Sequence, residues 1–376
     1  MPTTAYSKTF NGEFQVTQLE DLHNKYAKEL NLHPDFRAFV KLDVECPCCN
    51  VPNAIVVSEG FSSNSKDPVK QAHFAFKNNE GTDSHLKFCD FYSGKNKQNL
   101  FTNDCLFKNR KSNDLITEIV RKFICGGIEN NIFSQSDIRN MRLWFLELRS
   151  NNSFYIQDSK IALKVLRQMV INDYNNKSNY IFNKSKIESG LLNFDEEVYK
   201  LLSFRLPKKG LPDREKDFNI YYYLSLKTTT EKAIRISIKD SGSYTYDRNL
   251  LNEKYRTTVH VAYKIAGSIP ELKKKYGNSL HNKIKNINSI MAYSALLLFI
   301  CDWNIESALE IHNEKIANIK TVKNMNLGNV IGINPFIYYQ EWQILKFSSE
   351  WEKNLDTDLQ DEFNKAKQEL MTYLSN

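Results

Sequence analysis

The residues best suited to chemistry in this chain are thiols and imidazoles gathered between positions 46 and 89. Cys46-Pro47-Cys48-Cys49 opens the group, Gln71-Ala72-His73-Phe74-Ala75-Phe76 follows, and His85-x3-Cys89 closes it. Zinc takes four such donors in a tetrahedron, and a Cys-x2-Cys turn aims two sulfurs at one point. Cys46 and Cys49 have that spacing, with Pro47 shaping the turn and Cys48 expected to point away. Cys46, Cys49, His73, His85 and Cys89 are then five candidates for four places. Either the cysteines take one histidine, or both histidines serve and Cys89 is free. The spare histidine would orient a ligand from outside the shell. No general base stands beside the group, so the zinc is expected to be structural.

Short strands must carry these ligands. Residues 37–44 alternate, with Ala38, Val40, Leu42 and Val44 on one face, and predict a half-buried strand before the cysteine turn. Residues 54–57 and 71–76 predict two more, with a loop over 60–69. His85 and Cys89, four apart, would share a face on one turn of helix.

The order Cys-Pro-x-Cys, then His-Phe-Ala, then a further His resembles the N-terminal zinc-ribbon segment of competence protein CoiA-like proteins. The resemblance spans about residues 40–94. Phe76 stands where that family has the second histidine of a His-Phe-Ala-His run, which leaves His85 or Cys89 to supply the ligand. CoiA-like proteins carry a nuclease-like domain after the ribbon, so the resemblance implies DNA processing. The residues downstream do not match that implication well. Glu271-x-Lys273 has the short nuclease spacing but lies in a helix-start pattern, and the segment at 233–239 lacks Glu-x-Lys. Phosphate-cradling, nucleophile-elbow and His-Glu-x-x-His motifs are absent from the sequence.

Beyond residue 112 helical patterns dominate. Residues 14–31, 114–125, 158–171, 251–267, 281–302, 304–319 and 351–374 have apolar residues at helical spacing. Gly126-Gly127 is expected to end the second of these, and Ser134-x-x-Asp137 reads as a capping box opening another. Between them, residues 218–226 and 234–238 alternate strictly and predict a β-hairpin. Its polar face would present Tyr221, Tyr223, Lys227, Arg235 and Lys239, aromatic rings beside cations, as nucleic-acid binders do. Further basic clusters are Lys108-Arg110-Lys111, and Lys273-Lys274-Lys275 with Lys283 and Lys285.

The expected fold is α+β: a small zinc-ribbon β module, a mixed middle region with a hairpin, and a mainly helical C-terminal half. The expected divisions are a helix and tail at 1–36, the ribbon at 37–111, a helical region at 112–204, a basic loop and hairpin at 205–250, and a helical domain at 251–376. Charged residues make up 25% of the chain and the net charge is +7, an ordinary soluble composition that accommodates an anionic partner. The cysteines number seven, an odd count, and four of them lie within 44 residues beside two histidines, which favours metal over disulfides. The N-terminus has no apolar signal segment, and the apolar run Ile290 to Cys301 is too short to span a bilayer, so a cytoplasmic protein without a membrane partner is expected. The reading is a zinc-containing protein of bacterial or phage origin that binds DNA or RNA, in DNA processing or anti-phage defence. The alternatives are a metal-dependent nuclease with an unrecognised site, and a non-enzymatic subunit or inhibitor that binds a protein partner in a defence complex.

Overall fold

A computed structural model describes the chain except for residues 1–2, 62–67, 87, 90, 93–105, 108–114, 183, 191–192, 209, 326, 328–331 and 376. The strands are β1 (Thr4–Ser7), β2 (Gly12–Gln15), β3 (Val44–Glu45), β4 (Ala54–Val57), β5 (Gly60–Phe61), β6 (Pro68–Lys70), β7 (His73–Phe76), β8 (Leu106–Phe107), β9 (Ser153–Tyr155), β10 (Tyr244–Tyr246) and β11 (Gly332–Ile333). The helices are α1 (Val16–Tyr26), α2 (Phe36–Asp43), α3 (Leu115–Glu129), α4 (Gln135–Asn151), α5 (Lys160–Tyr174), α6 (Lys184–Glu188), α7 (Phe194–Arg205), α8 (Phe218–Ser225), α9 (Lys227–Asp240), α10 (Asn252–Ser268), α11 (Pro270–Tyr276), α12 (Leu280–Lys283), α13 (Asn288–Ile300), α14 (Ile305–Glu310), α15 (Tyr339–Lys353) and α16 (Leu359–Ser375). The fold is α+β with a helical C-terminal half, as expected. Among the described residues no helix is long and apolar enough to cross a membrane.

Two units form, each from two stretches of chain. The first comprises Met1–Ser153 and Leu250–Ile337, the second Phe154–Asn249 and Tyr338–Asn376. In the first unit, β2, β1 and β3 make one antiparallel sheet and β4 pairs with β7 from Ala54 opposite Phe76 to Val57 opposite His73. Its helical part is centred on α13, where every residue from Ser289 to Leu298 is buried. A helix apolar on all sides must be wrapped, and α3, α4, α10 and α14 pack around it. In the second unit α5 has the central place, packed by α7, α8, α9, α15 and α16.

Three local expectations are corrected. The alternating segment 37–44 is helix α2, not a strand: Asp35 caps it by accepting from the Ala38 amide at 2.7 Å, and Phe39, Val40 and Asp43 are buried at helical spacing while Leu42 is exposed. The hairpin at 218–239 is the helix pair α8 and α9. Packing against α5 and α15 overrides the strand propensity of its tyrosines and isoleucines, burying Thr230, Ala233, Ile234 and Ser237 along one stripe of α9 and leaving Ile238 exposed. Gly126 and Gly127 do not end α3, which runs on to Glu129. They permit close packing instead. A Cβ on Gly127 would stand 2.3 Å from the Phe133 ring, and one on Gly126 would stand 3.1 Å from Ile319.

The capping box at α4 forms as read, with Ser134 and Asp137 each accepting from the other's backbone amide. The last predicted helix is two: Trp351 belongs to α15, and α16 buries Leu359, Phe363 and Leu370. Replacing Gly127 by Ala should therefore lower stability by about 1–3 kcal/mol despite alanine's better helix propensity, because the methyl overpacks against Phe133. Urea unfolding of Gly127→Ala beside the parent checks this.

Candidate metal centre

The cysteine turn follows β3. The Cys46 carbonyl accepts from the Asn50 amide at 3.1 Å, and the Cys46 amide donates to the Val51 carbonyl at 2.9 Å. Asn50 closes the turn in the left-handed region, φ 57°, which asparagine tolerates better than most residues. The backbone thereby aims the amides of Cys48 and Cys49 at the Cys46 sulfur, at 3.4 and 3.5 Å. Such amide donors stabilise a thiolate and orient it for a cation.

The second pair of ligands comes from the turn after β7. Residues 78–82 form a tight loop in which the Asn78 side chain accepts from the amides of Glu80 and Thr82, and Gly81 takes φ 74°. The returning chain is tied by the Ser84 amide to the Phe76 carbonyl at 3.1 Å and by the His85 amide to Asp83 at 2.9 Å. His85 and Cys89 are therefore presented from a turn, not from the helical turn that their spacing suggested. The Phe91 amide donates to the Cys89 sulfur at 3.5 Å, mirroring the first turn.

Cys46, Cys49, His85 and Cys89 are all buried, with their ligand atoms within 4.8 Å of one another. Cys46 and Cys89 sulfurs lie 3.8 Å apart, and His85 Nδ1 lies 3.4 Å from Cys49 and 3.6 Å from Cys89. Metal–sulfur and metal–nitrogen bonds of zinc length would set tetrahedral edges of about 3.8 Å between sulfurs and about 3.6 Å from sulfur to nitrogen. The group can hold a metal ion. Burial pushes the Cys46 and Cys89 thiols up, while hydrogen bonds from Cys46 and Cys89 pull the Cys49 thiol down. Burial thus keeps Cys46 and Cys89 protonated while no cation is bound, and all three sulfurs can ionise together in so small a volume only around a cation.

Of the five candidates, His73 is the one outside this group. It is buried on β7, and its Nδ1 donates to the Gln71 carbonyl at 3.1 Å. Cys48 is buried but not one of the four, and Cys105 lies outside the described residues. Phe76, the departure from the CoiA-like pattern, packs its ring on His85 with centroids 5.0 Å apart.

Two arginines of α4 hold the first turn in place, and neither was among the candidates read from sequence. Arg139 reaches Glu45 at 2.8 Å and the Asn50 side chain at 2.6 Å, with its guanidinium over the Tyr6 ring. Arg142 is fully buried, paired with buried Glu13, and donates to the Pro47 carbonyl at 3.3 Å. Burial raises the Glu13 carboxyl against the opposing pull of Arg142. The sequence carried one signal for this: Arg142 falls on the face of α4 that buries Ile138, Met141 and Phe145.

The predicted nucleic-acid residues separate into two groups. Tyr221 and Tyr223 are buried on α8, and the Tyr221 hydroxyl donates to the Val170 carbonyl at 3.1 Å and to Asp173 at 2.8 Å. They offer no stacking surface. Lys227, Arg235 and Lys239 are exposed on α9. Lys108, Arg110 and Lys111 lie outside the described residues. Comparison with family models, with curated proteins and with solved structures gives no match to this chain.

Two outcomes follow from this geometry. Cys46→Ser, Cys49→Ser, His85→Ala and Cys89→Ser should each lose bound metal, whereas His73→Ala and Cys48→Ser should keep a full equivalent, as read by elemental analysis of the purified proteins. Arg142→Met alone should cost about 3–5 kcal/mol in urea unfolding, because it strands the buried Glu13 carboxylate, and the double variant Glu13→Leu, Arg142→Met should cost less than the single.

Proposed function

We propose that Cys46, Cys49, His85 and Cys89 hold one structural zinc ion, and that the protein stapled in this way binds nucleic acid through the lysines of α10 to α12. Soft thiolates with one imidazole in a closed tetrahedron favour zinc over calcium or magnesium, which prefer oxygen. With four protein ligands the ion has no place for substrate, so its role is to hold the two turns together.

The nucleic-acid reading is carried by one observation: the lysines between Tyr263 and Asn286. This stretch has six lysines and a single carboxylate, Glu271. Lys264, Lys273, Lys274, Lys275 and Lys283 are exposed, and the packing of α10, α11 and α12 on one another gathers them in one part of the first unit. Among the described residues, Lys264, Lys273, Lys274 and Lys283 make no ion pair. By contrast, Lys164, Lys200, Lys346 and Lys367 in the second unit each pair with a carboxylate. Exposed Tyr263, edge-on to His281 at 5.1 Å, adds a ring to the basic surface. Cations without internal partners are the ones that release counterions from phosphate. The resemblance of residues 40–94 to CoiA-like proteins supports DNA as the first partner to test, in DNA processing or anti-phage defence.

Fluorescence anisotropy with labelled duplex DNA, single-stranded DNA and RNA across a salt series tests the reading. Binding at low salt should weaken steeply as salt rises. The triple variant Lys273→Glu, Lys274→Glu, Lys275→Glu should lose at least about tenfold in affinity, with the salt slope reduced by about one per lysine in contact with phosphate. Absence of binding to all three probes at low salt would refute it.

A further inference from the structure

The second unit contains a cleft of about 520 Å³ between α5, the loop 175–182 and α7. Its volume falls in the range of small-molecule sites, roughly 300–1,000 Å³. Two of its lining residues are polar and almost wholly buried: Asn172 is 3% exposed and Glu197 is 1% exposed. Burying a carboxylate and an amide at a cavity wall is costly unless they are hydrogen-bonded or paired.

A hydrogen-bonded chain presets these groups. Gln168 Nε2 donates to Asn172 Oδ1 at 3.0 Å, Asn172 Nδ2 donates to Ser203 Oγ at 2.8 Å, and Ser203 Oγ donates to the Lys200 carbonyl at 2.6 Å. Lys200 in turn pairs with Glu197 Oε1. Among the described residues, Glu197 Oε2 has only the Tyr180 hydroxyl, at a long 3.3 Å. This oxygen retains acceptor capacity toward the cleft. Tyr180 and Phe204, with ring centroids 6.3 Å apart, supply aromatic wall. Lys177 stands exposed on the loop, and its amide donates to the Asn172 carbonyl at 2.9 Å, which fixes the rim to the floor.

We propose that this cleft binds a free nucleotide. Three chemistries meet in it, and a nucleotide answers all of them. An acceptor-rich carboxylate calls for the N–H groups of a base edge. Aromatic side chains call for a planar ring. Lys177, exposed at the rim, calls for phosphate. A neutral sugar would satisfy the carboxylate and amides but leave the Lys177 ammonium without a counter-charge, whereas Lys200 has Glu197. The site lies in the second unit and shares no residue with the lysine surface of α10 to α12, so either can fail without the other.

Thermal unfolding and titration calorimetry of the full chain with GMP, AMP, CMP and UMP test the proposal, beside guanosine, inorganic phosphate and glucose. At saturation at least one mononucleotide should raise the unfolding midpoint by about 2 °C or more, and by more than guanosine, phosphate or glucose does. Lys177→Ala, an exposed position whose loss leaves the fold intact, should weaken that nucleotide at least about tenfold, as loss of a charge-assisted contact does. Glu197→Gln should weaken it and narrow the preference among bases. The proposal is overturned if no mononucleotide binds, if glucose or phosphate alone binds as well, or if Lys177→Ala and Glu197→Gln bind as the parent does.

Discussion

Three thiols and an imidazole share a volume in which no two ligand atoms are more than 4.8 Å apart, and that crowding is the constraint on which the first unit's N-terminal part is built. The sheets around it are short: β3 has two residues, and β4 and β7 have four each. Strands of this size do not hold a module together by themselves. The buried residues nearby, among them Phe39, Val40, Val44, Phe74, Phe76 and Phe88, form one cluster that includes Cys46, Cys49 and Cys89. The ligand group therefore occupies a place that apolar side chains fill in a larger domain.

The same constraint propagates outward through α4. The Cys46 turn is gripped by Arg139 and by Arg142, whose partner Glu13 belongs to β2. Farther along the helix, Trp144 packs against Phe299 and Trp303 at the end of α13. One helix thus joins the ligand cluster to the central apolar helix of its unit. A buried arginine–glutamate pair is an expensive way to make such a joint, and its directional hydrogen bonds specify the register that apolar contacts leave loose.

What could be read from sequence followed how local its cause is. The cysteine turn, the capping box at Ser134 and the apolar stripe of α4 depend on residues a few positions apart, and they stand where they were expected. His85 and Cys89 were legible as members of a group that can hold a metal ion, but His73 could be separated from them only by three-dimensional placement, since all lie near one another in sequence. The segments 37–44 and 218–239 show the opposite case. Both alternate, and both are helices: α2 buries a face against β3 and β4 just downstream, and α8 and α9 bury faces against α5 and α15, far off in sequence. Asp35 before α2 was a helix signal overshadowed by the alternation after it. The cleft on α5 and α7 left no motif at all, as its polar residues come from separate segments and are ordinary singly.

The first unit is completed by residues that the ribosome delivers late. Helix α3 packs on α13, yet roughly 160 residues separate their ends, and the second unit's first stretch lies between them. At about 5–20 residues per second, synthesis would leave the apolar face of α3 waiting roughly 8–30 s for its partner. During that interval the metal-ligand turns, already complete in sequence, could fold as an early anchor while the helical half remained open to chaperones or to aggregation. A cut of the gene between residues 153 and 250 would make that waiting state permanent.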